Sequence, residues 1–408
     1  MFAALRYRNF RLLWIGVGVS FAGSFMQQAA LLWHVSLLVP DHKGLALGLV
    51  GLVRVIPIMA FSLLSGVAAD VFDRRKLMFV TQVGGALVAA VLAVLAFSGL
   101  TVVWPIYVLA AIGASVGAFD PPARHSLVPM LVPREHLPNA ISLNTVMMQA
   151  SSVVGPALGG VIIAFGNVGW AYAVNAVSFL FVIASLIMMR DVPATDRSHA
   201  QARDTMSVAA LVDGIRFVFG RPVIRSTMLL DFFATFFSSA TALLPIFAQD
   251  ILHVGPKGYG WLYAAPAIGA VAASAAMVPI TPRLERRGAT LIWAVACYGL
   301  ATVVFGFSRS FWLTLACLAA SGASDAVSMI IRNLVRQLET PDAMRGRMVG
   351  INMIFFMGGP QLGELEAGLV ANWAGAPLSV ITGGIGSLVA TAVIAGSTPE
   401  VRHYRRSP

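Results

Sequence analysis

The sequence predicts an all-α membrane protein: twelve transmembrane helices in two pseudo-symmetric six-helix bundles, with the N- and C-termini cytoplasmic. Long apolar segments recur along the chain, basic residues cluster in alternate connections, and short motifs of the first half return in the second. Composition agrees, because 58% of the 408 residues are hydrophobic and only 11% are charged. Soluble domains carry about 25% charged residues, so a soluble fold is excluded.

Twelve apolar segments follow one another, each near the ~20 residues that a helix needs to cross ~30 Å of hydrocarbon. We expect them at residues 12–39, 45–69, 77–99, 102–123, 140–165, 168–189, 223–249, 259–281, 289–308, 311–331, 348–371 and 377–396. The first is too long for a signal peptide and has no small-residue cleavage site, so it should be retained. Cys297 and Cys317 fall inside segments and are read as packing residues without a disulfide.

Basic residues are sorted to one side of this series. Of the 28 Lys and Arg residues, 24 lie at the N-terminus, in or at the edge of the connections after even-numbered segments, or at the C-terminus. Lys43, Lys257 and Arg309 lie in the opposite connections, and Arg54 lies inside a segment. Positively charged loops stay cytoplasmic, which predicts a multi-pass protein of the bacterial inner membrane. The net charge of +10 then reflects orientation and attraction to anionic lipid, and no nucleic-acid partner is expected.

The chain divides into two bundles and a linker. We expect residues 1–190 to form an N-terminal six-helix bundle, 191–222 a cytoplasmic linker, and 223–408 a C-terminal bundle with a cytoplasmic tail. The later part of the linker, residues 207–220, places its apolar residues on one helical face. This pattern predicts a short amphipathic helix against the membrane surface.

The two halves repeat short motifs at a nearly constant offset. The matches are LPNAISL (137–143) with TPDAMRG (340–346), GPALGG (155–160) with GPQLGE (359–364), and Asp120 with Asp325, at offsets of 203, 204 and 205 residues. A repeat of half the chain length is typical of transporters of twelve helices with two parallel halves.

The connection after the second segment, GVAADVFDRRK (66–76), resembles the signature loop of the major facilitator superfamily. The resemblance implies a cytoplasmic latch made of Gly66, Asp70, Arg74 and Arg75. The sequence departs from the family pattern at Asp73, where a glycine is usual. The alternative interpretation is a stop-transfer charge cluster.

The fifth segment contains SSVVGPALGG (151–160), which resembles the helix-bending motif of exporters in this superfamily. Gly155, Gly159 and Gly160 remove side chains where helices cross, and Pro156 removes one backbone hydrogen bond, so that the helix can bend. Glycine and proline are also common in membrane helices generally.

Further stretches resemble the enterobactin-exporter-like branch of the superfamily over nearly the whole chain. They are FDPPARHSLVPMLVP (119–133), WAYAVNAVSFLFVI (170–183), 243–270, TPDAMRGRMVGIN (340–352) and EVRHYRR (400–406). The resemblance implies a proton-coupled exporter of a small amphipathic organic compound, such as a drug-like molecule or a siderophore. Its expected partners are a small-molecule substrate, protons and the lipid bilayer. No cofactor or metal is expected, and the expected state is a monomer.

Ionisable residues inside the segments indicate a transport pathway, because charge is costly in lipid and faces the interior or a partner. They are Arg54, Asp120, Asp231, Asp325, Glu364 and Glu366. Asp120 can pair with Arg124 one helical turn away. Asp231, Glu364 and Glu366 are the candidates for carrying the coupling proton. The competing interpretation of Asp231 is a static partner for Arg225 or Arg332.

Other polar residues are candidates for lining a cavity or joining the halves. Gln28 and Asn175 could contact a substrate. Because the second and eleventh helices are neighbours in the superfamily, we hypothesise that Arg54 pairs with Glu364.

The sequence contains no phosphate loop, Cys/His metal spacing or nucleophile motif, so we expect no enzyme activity. The predicted function is proton-coupled efflux by alternating access. The alternatives are a proton-coupled importer and a membrane sensor or scaffold that moves no solute.

Overall fold

The computed structural model describes residues 2–190, 208–341 and 344–405, without the side chains of some residues such as Gly66 and Asp70. The predicted linker residues 191–207 lie outside this part. The described residues form helices joined by short connections, with no β-strand among them.

Among the described residues, nine helices follow one another up to the predicted seventh segment. They are α1 Arg8–Leu38, α2 Lys43–Val71, α3 Arg74–Phe97, α4 Trp104–Gly117, α5 Asp120–Leu131, α6 Leu137–Phe165, α7 Val168–Met188, α8 Val208–Gly220 and α9 Pro222–Phe237. The remaining helices are α10 Leu244–Ile246, α11 Gly255–Ile280, α12 Arg287–Phe307, α13 Phe311–Glu339, α14 Arg345–Ala374, α15 Ala376–Ser397 and α16 Pro399–Arg402.

The all-α membrane class is confirmed. Eleven helical stretches among the described residues are long and apolar enough to cross a membrane. The long helix α14 covers the predicted eleventh segment and contains Glu364 and Glu366. Which side of the membrane the termini occupy stays a prediction.

Two predicted segments are not single helices. The fourth, expected to end at residue 123, consists of α4 and α5 and continues to Leu131. Pro121 and Pro122 explain the interruption, because proline lacks a backbone N–H and disfavours helical geometry in the residue before it. The seventh is interrupted at Ser238 and Ser239, after which a 3₁₀ turn, α10 and a π-helical turn at Phe247–Ile251 continue the chain.

The chain contains two compact units. The N-terminal unit comprises Met1–Pro40, Val53–Gln201 and Gly255–Ala264. In this unit α1 packs against α6 and α7, and α3 packs against α7. Its apolar core is built from residues such as Phe10 and Leu127, which are fully buried.

The C-terminal unit comprises Asp41–Leu52, Ala202–Val254 and Ala265–Pro408. Here α12 packs against α13 and α15, while α9 packs against α14 and α15. Helices α11 and α13 approach so closely that a Cβ atom on Gly322 would lie 1.9 Å from the carbonyl oxygen of Pro266. Glycine is therefore required at this crossing.

The last described residues cover the start of α12 in the same unit. The Gly288 N–H donates a hydrogen bond of 3.0 Å to the carbonyl oxygen of Tyr404. The Tyr404 hydroxyl donates to the Glu339 carboxylate at 2.9 Å. Partial burial, and then this hydrogen bond, raise the pKa of Tyr404 to about 12. The tail thus joins the first turn of α12 to the last turn of α13.

Candidate functional site

The C-terminal unit holds a cluster of four charged side chains on α9 and α13, of which Asp231, Arg332 and Arg336 are buried. Nη2 of Arg332 lies 3.0 Å from Oδ1 of Asp231 and 3.3 Å from Oδ1 of Asp325. Nη1 of Arg336 lies 4.0 Å from Oδ2 of Asp231. One arginine nitrogen therefore contacts both carboxylates, and two positive groups balance two negative ones.

Neutral oxygen atoms accept hydrogen bonds from Arg336. Its Nη2 donates to Oδ1 of Asn333 at 2.9 Å, its Nε donates to the carbonyl oxygen of Arg332 at 3.2 Å, and its Nη1 donates to Oδ1 of Asn352 on α14. Arg332 is less saturated, because its Nε and Nη1 are buried without a hydrogen-bond partner among the described residues. All three nitrogen atoms of the Arg336 guanidinium therefore donate hydrogen bonds, whereas two of those of Arg332 donate to nothing among the described residues.

The two carboxylates differ in exposure. The side chain of Asp231 is 2% exposed, whereas that of Asp325 is 40% exposed. Removing one partner of a buried ion pair strongly destabilises a protein, so the buried Asp231 depends on the charges of Arg332 and Arg336, although neither of its oxygens accepts a hydrogen bond among the described residues. Asp325 is the member of the cluster that solvent can reach.

Sequence reasoning named Asp231 and Asp325 and gave Arg332 as a possible partner of Asp231, but it did not find Arg336. Along the chain the nearest charged residue to Asp231 is Arg225, more than one helical turn away. Its partners come from α13, more than 100 residues away in the sequence. The signal that could have found Arg336 is its spacing of one helical turn from Arg332.

A second polar cluster lies in the N-terminal unit. Nε2 of Gln82 on α3 donates to Oδ1 of Asp120 at 2.7 Å, and Nε of Arg124 lies 3.8 Å from Oδ2 of Asp120. The Arg124 guanidinium also stacks 4.3 Å from the ring centre of Phe21 on α1. The sequence indicated the Asp120–Arg124 pair but not Gln82, whose contact depends on helix packing.

The polar residues proposed to line a cavity occupy α1 and α7. Nδ2 of Asn175 donates to Oε1 of Gln27 at 2.8 Å, so the buried Asn175 is engaged within the N-terminal unit. Gln28, which follows Gln27 in the chain, is half-buried. Asn175 therefore joins α1 to α7 in this structure.

The basic residues of the signature loop contact neighbouring helices of the N-terminal unit. Nη1 of Arg74 donates to the Ser126 carbonyl oxygen on α5 at 3.3 Å, and Nη2 of Arg75 donates to the Ile187 carbonyl oxygen on α7 at 3.3 Å. The carboxylate of Asp73 caps the first turn of α3, which gives a local role to the residue that departs from the family pattern. Gly66 and Asp70 lie on the last turns of α2, and their side chains are outside the described part.

The glycines of the helix-bending motif lie at close helix crossings. A Cβ atom on Gly155 would lie 2.4 Å from the Ala22 carbonyl oxygen on α1, and one on Gly160 would lie 2.5 Å from the Pro256 carbonyl oxygen on α11. Gly159 faces Met26 of α1, and Pro156 lies inside α6. The motif therefore brings α6 into backbone contact with two other helices.

The two glutamates of α14 differ in environment. Glu364 is buried, and a Cβ atom on Gly51 of α2 would lie 2.9 Å from its carboxylate, whereas Glu366 is half-buried. Arg54 belongs to the N-terminal unit and Glu364 to the C-terminal unit. Their pairing stays a prediction.

Comparisons with known proteins agree with this architecture. The profile of a family described as transmembrane secretion effector matches residues 1–404. The chain is 29% identical over 351 residues to the multidrug efflux pump Tap of Mycolicibacterium fortuitum, covering 83% of this chain and 84% of that protein. It is 25% identical over 346 residues to the enterobactin exporter EntS of Escherichia coli, covering 85% and 82% respectively.

Solved structures support the same fold. A POT family transporter in complex with 5-aminolevulinic acid superposes with a TM-score of 0.74 at 11% identity, covering 97% of this chain and 96% of that one. The D-xylose-proton symporter gives a TM-score of 0.71 at 14% identity, covering 96% and 99%. Together with the profile match over almost the whole sequence, these likenesses confirm the resemblance found in the motifs. The chain belongs to the transmembrane secretion effector family of major facilitator transporters.

Proposed function

We propose that this transporter exports a small amphipathic organic compound from the cytoplasm across the bacterial inner membrane, in exchange for protons and by alternating access. The observation that carries the proposal is the cluster of Asp231, Asp325, Arg332 and Arg336, whose two carboxylates lie within predicted membrane segments. A protein that only spans the bilayer has no need of carboxylates at this depth, because each is costly there.

Export is favoured over import by the relatives. Both Tap and EntS are named as efflux proteins, and the Gly155–Gly160 motif resembles that of exporters. The alternatives, a proton-coupled importer and a non-transporting sensor, have no comparable support.

Transport by the purified protein in proteoliposomes tests the proposal. Vesicles with an imposed pH gradient would be screened with a panel of cationic dyes, hydrophobic drugs and catecholate siderophores. We expect at least one compound to move against its own gradient while protons move the other way, and we expect nigericin to abolish this movement by collapsing the pH gradient.

Two results would contradict the proposal. Transport that persists unchanged after the pH gradient has collapsed would exclude proton coupling. Concentration of the compound in the same direction as the protons would make the protein an importer.

A further inference from the structure

A cavity of about 110 Å³ lies inside the C-terminal unit, at the interruption between α9 and α10, and its lining mixes polar and apolar residues. Its polar lining includes Ser238, Thr241, Tyr298, Thr302, Ser321 and Asp325. All of these residues belong to one unit. One of the lining residues, Asp325, carries the carboxylate that shares Arg332 with Asp231.

The lining fits water better than an apolar ligand. The Ser238 hydroxyl is buried without a hydrogen-bond partner among the described residues, although it lines the cavity. The carbonyl oxygen of the same residue accepts a weak hydrogen bond of 3.4 Å from the Tyr298 hydroxyl. A buried unpaired hydroxyl costs free energy, and a cavity of this size accommodates several water molecules, each occupying ~30 Å³ in the liquid.

The lining also fits water better than a metal cation. Asp325 is the one carboxylate among the residues that line the cavity, and Arg332 already lies 3.3 Å from it. The guanidinium therefore supplies the positive charge that a cation would otherwise bring. Hydroxyl groups that both donate and accept are suited to a chain of water molecules.

We propose that this cavity holds a chain of water molecules that carries protons to and from Asp325, which makes Asp325 the residue that exchanges the coupling proton. The inference rests on the proposed proton-coupled function and assigns the exchange of the coupling proton to one carboxylate. Among the described residues of the unit, the charged and titratable groups around it are Asp231 on α9, Arg332 and Arg336 on α13, and Tyr298 on α12.

The proton step changes how Arg332 is shared. A hydrated proton in the cavity transfers its proton to the Asp325 carboxylate. The carboxyl group becomes neutral, and the water molecule that carried the proton stays in the cavity. Nη2 of Arg332 contacts both carboxylates. Once Asp325 is neutral, Asp231 is the only charged acceptor that this nitrogen has in the cluster. Release of the proton to water restores the shared contact.

Infrared difference spectroscopy on the protein in lipid tests this assignment without a transported compound. As the pH is lowered, the wild type should gain a carbonyl band of a protonated carboxyl group. Asp325→Asn should lose that band, and Asp325→Glu should restore one at a shifted frequency. As a charge control, Asp213→Asn removes an exposed carboxylate on α8 and should leave the band unchanged.

The water is tested by a matched pair of serine variants. Ser238→Ala removes the unpaired hydroxyl in the cavity, whereas Ser328→Ala removes an equally buried, unpaired hydroxyl that does not line it. Weakly hydrogen-bonded water bands that shift in H₂¹⁸O should diminish in Ser238→Ala and persist in Ser328→Ala.

Either of two outcomes would overturn the inference: a titrating carboxyl band that survives in Asp325→Asn, or water bands that are the same in both serine variants. Failure of the proposed function would give a different pair of results. The spectra would show protonation of Asp325, but transport would not depend on the pH gradient.

Discussion

At the scale of single residues, Arg332 is the side chain on which the site depends. Its one nitrogen, Nη2, contacts two acids of very different exposure. Charges buried in a low-dielectric interior are tolerated only in such paired arrangements. The same residue thus stabilises a buried ion pair and remains available to respond when Asp325 changes its charge.

Removing the buried carboxylate should destabilise the protein more than removing the exposed one. Asp231→Asn leaves Arg332 and Arg336 with a single charged partner between them, a loss of about 3–5 kcal/mol for a broken buried pair. Asp325→Asn should cost much less, because that side chain is 40% exposed. Melting temperatures in the same detergent provide the measurement, and equal values for the two variants would show that the Asp231–Arg332 contact does not stabilise the fold.

The signature loop allows a prediction about activity. We expect Asp70→Asn to reduce transport strongly while leaving membrane insertion intact, because a latch favours one conformation rather than supporting the fold. Transport rate per inserted molecule is the quantity to measure. Normal transport at normal expression would reduce the loop to a topology signal.

At the scale of elements, the interruptions of helices show what a sequence pattern can and cannot reveal. Pro121 and Pro122 mark the start of α5 and could have been used to predict that break. No glycine or proline accompanies the break at Ser238 and Ser239, where tertiary contacts replace helical hydrogen bonds: the Ser239 hydroxyl donates to the Pro360 carbonyl oxygen at 3.0 Å. Positions of helices followed from hydropathy, whereas this break and the partners of Asp231 depended on neighbours distant in sequence.

Close crossing of α11 and α13 predicts a steric effect. Gly322→Ala would place a methyl group 1.9 Å from a backbone oxygen, and such overpacking typically costs about 1–3 kcal/mol. Gly396→Ala on α15 is the matched control, because nothing lies within 4 Å of its added Cβ atom. We expect a lower melting temperature for Gly322→Ala only, and a similar loss in both variants would disprove the close crossing.

At the scale of the whole molecule, composition and periodicity were sufficient for the class. Twelve apolar segments and a half-length repeat predicted an all-helical transporter fold, which the structure and the family match confirm. Hydropathy and repeats are distributed over hundreds of residues, so a local irregularity does not change the fold class that they predict. A site depends on a few contacts between distant residues, which is why its geometry could not be derived in the same way.

Orientation is the prediction that belongs to this scale. Since 24 of 28 basic residues lie in one set of connections, cysteine placed at position 199 should be cytoplasmic and cysteine at position 257 should face outward. In intact cells a membrane-impermeant maleimide should label only Lys257→Cys, in a background where Cys297 and Cys317 are replaced by serine. Labelling of His199→Cys would reverse the topology.

The hydrogen bond from Gly288 to Tyr404 has a consequence for biosynthesis. Helix α12 leaves the ribosome long before residue 404 has been synthesised, so its first turn must wait for the acceptor that satisfies the Gly288 N–H. Domains generally fold in the order of translation, and within this unit the packing around the start of α12 is completed only when residue 404 is in place. Closure of the C-terminal unit is therefore a late event, after the membrane helices α13, α14 and α15 have been made.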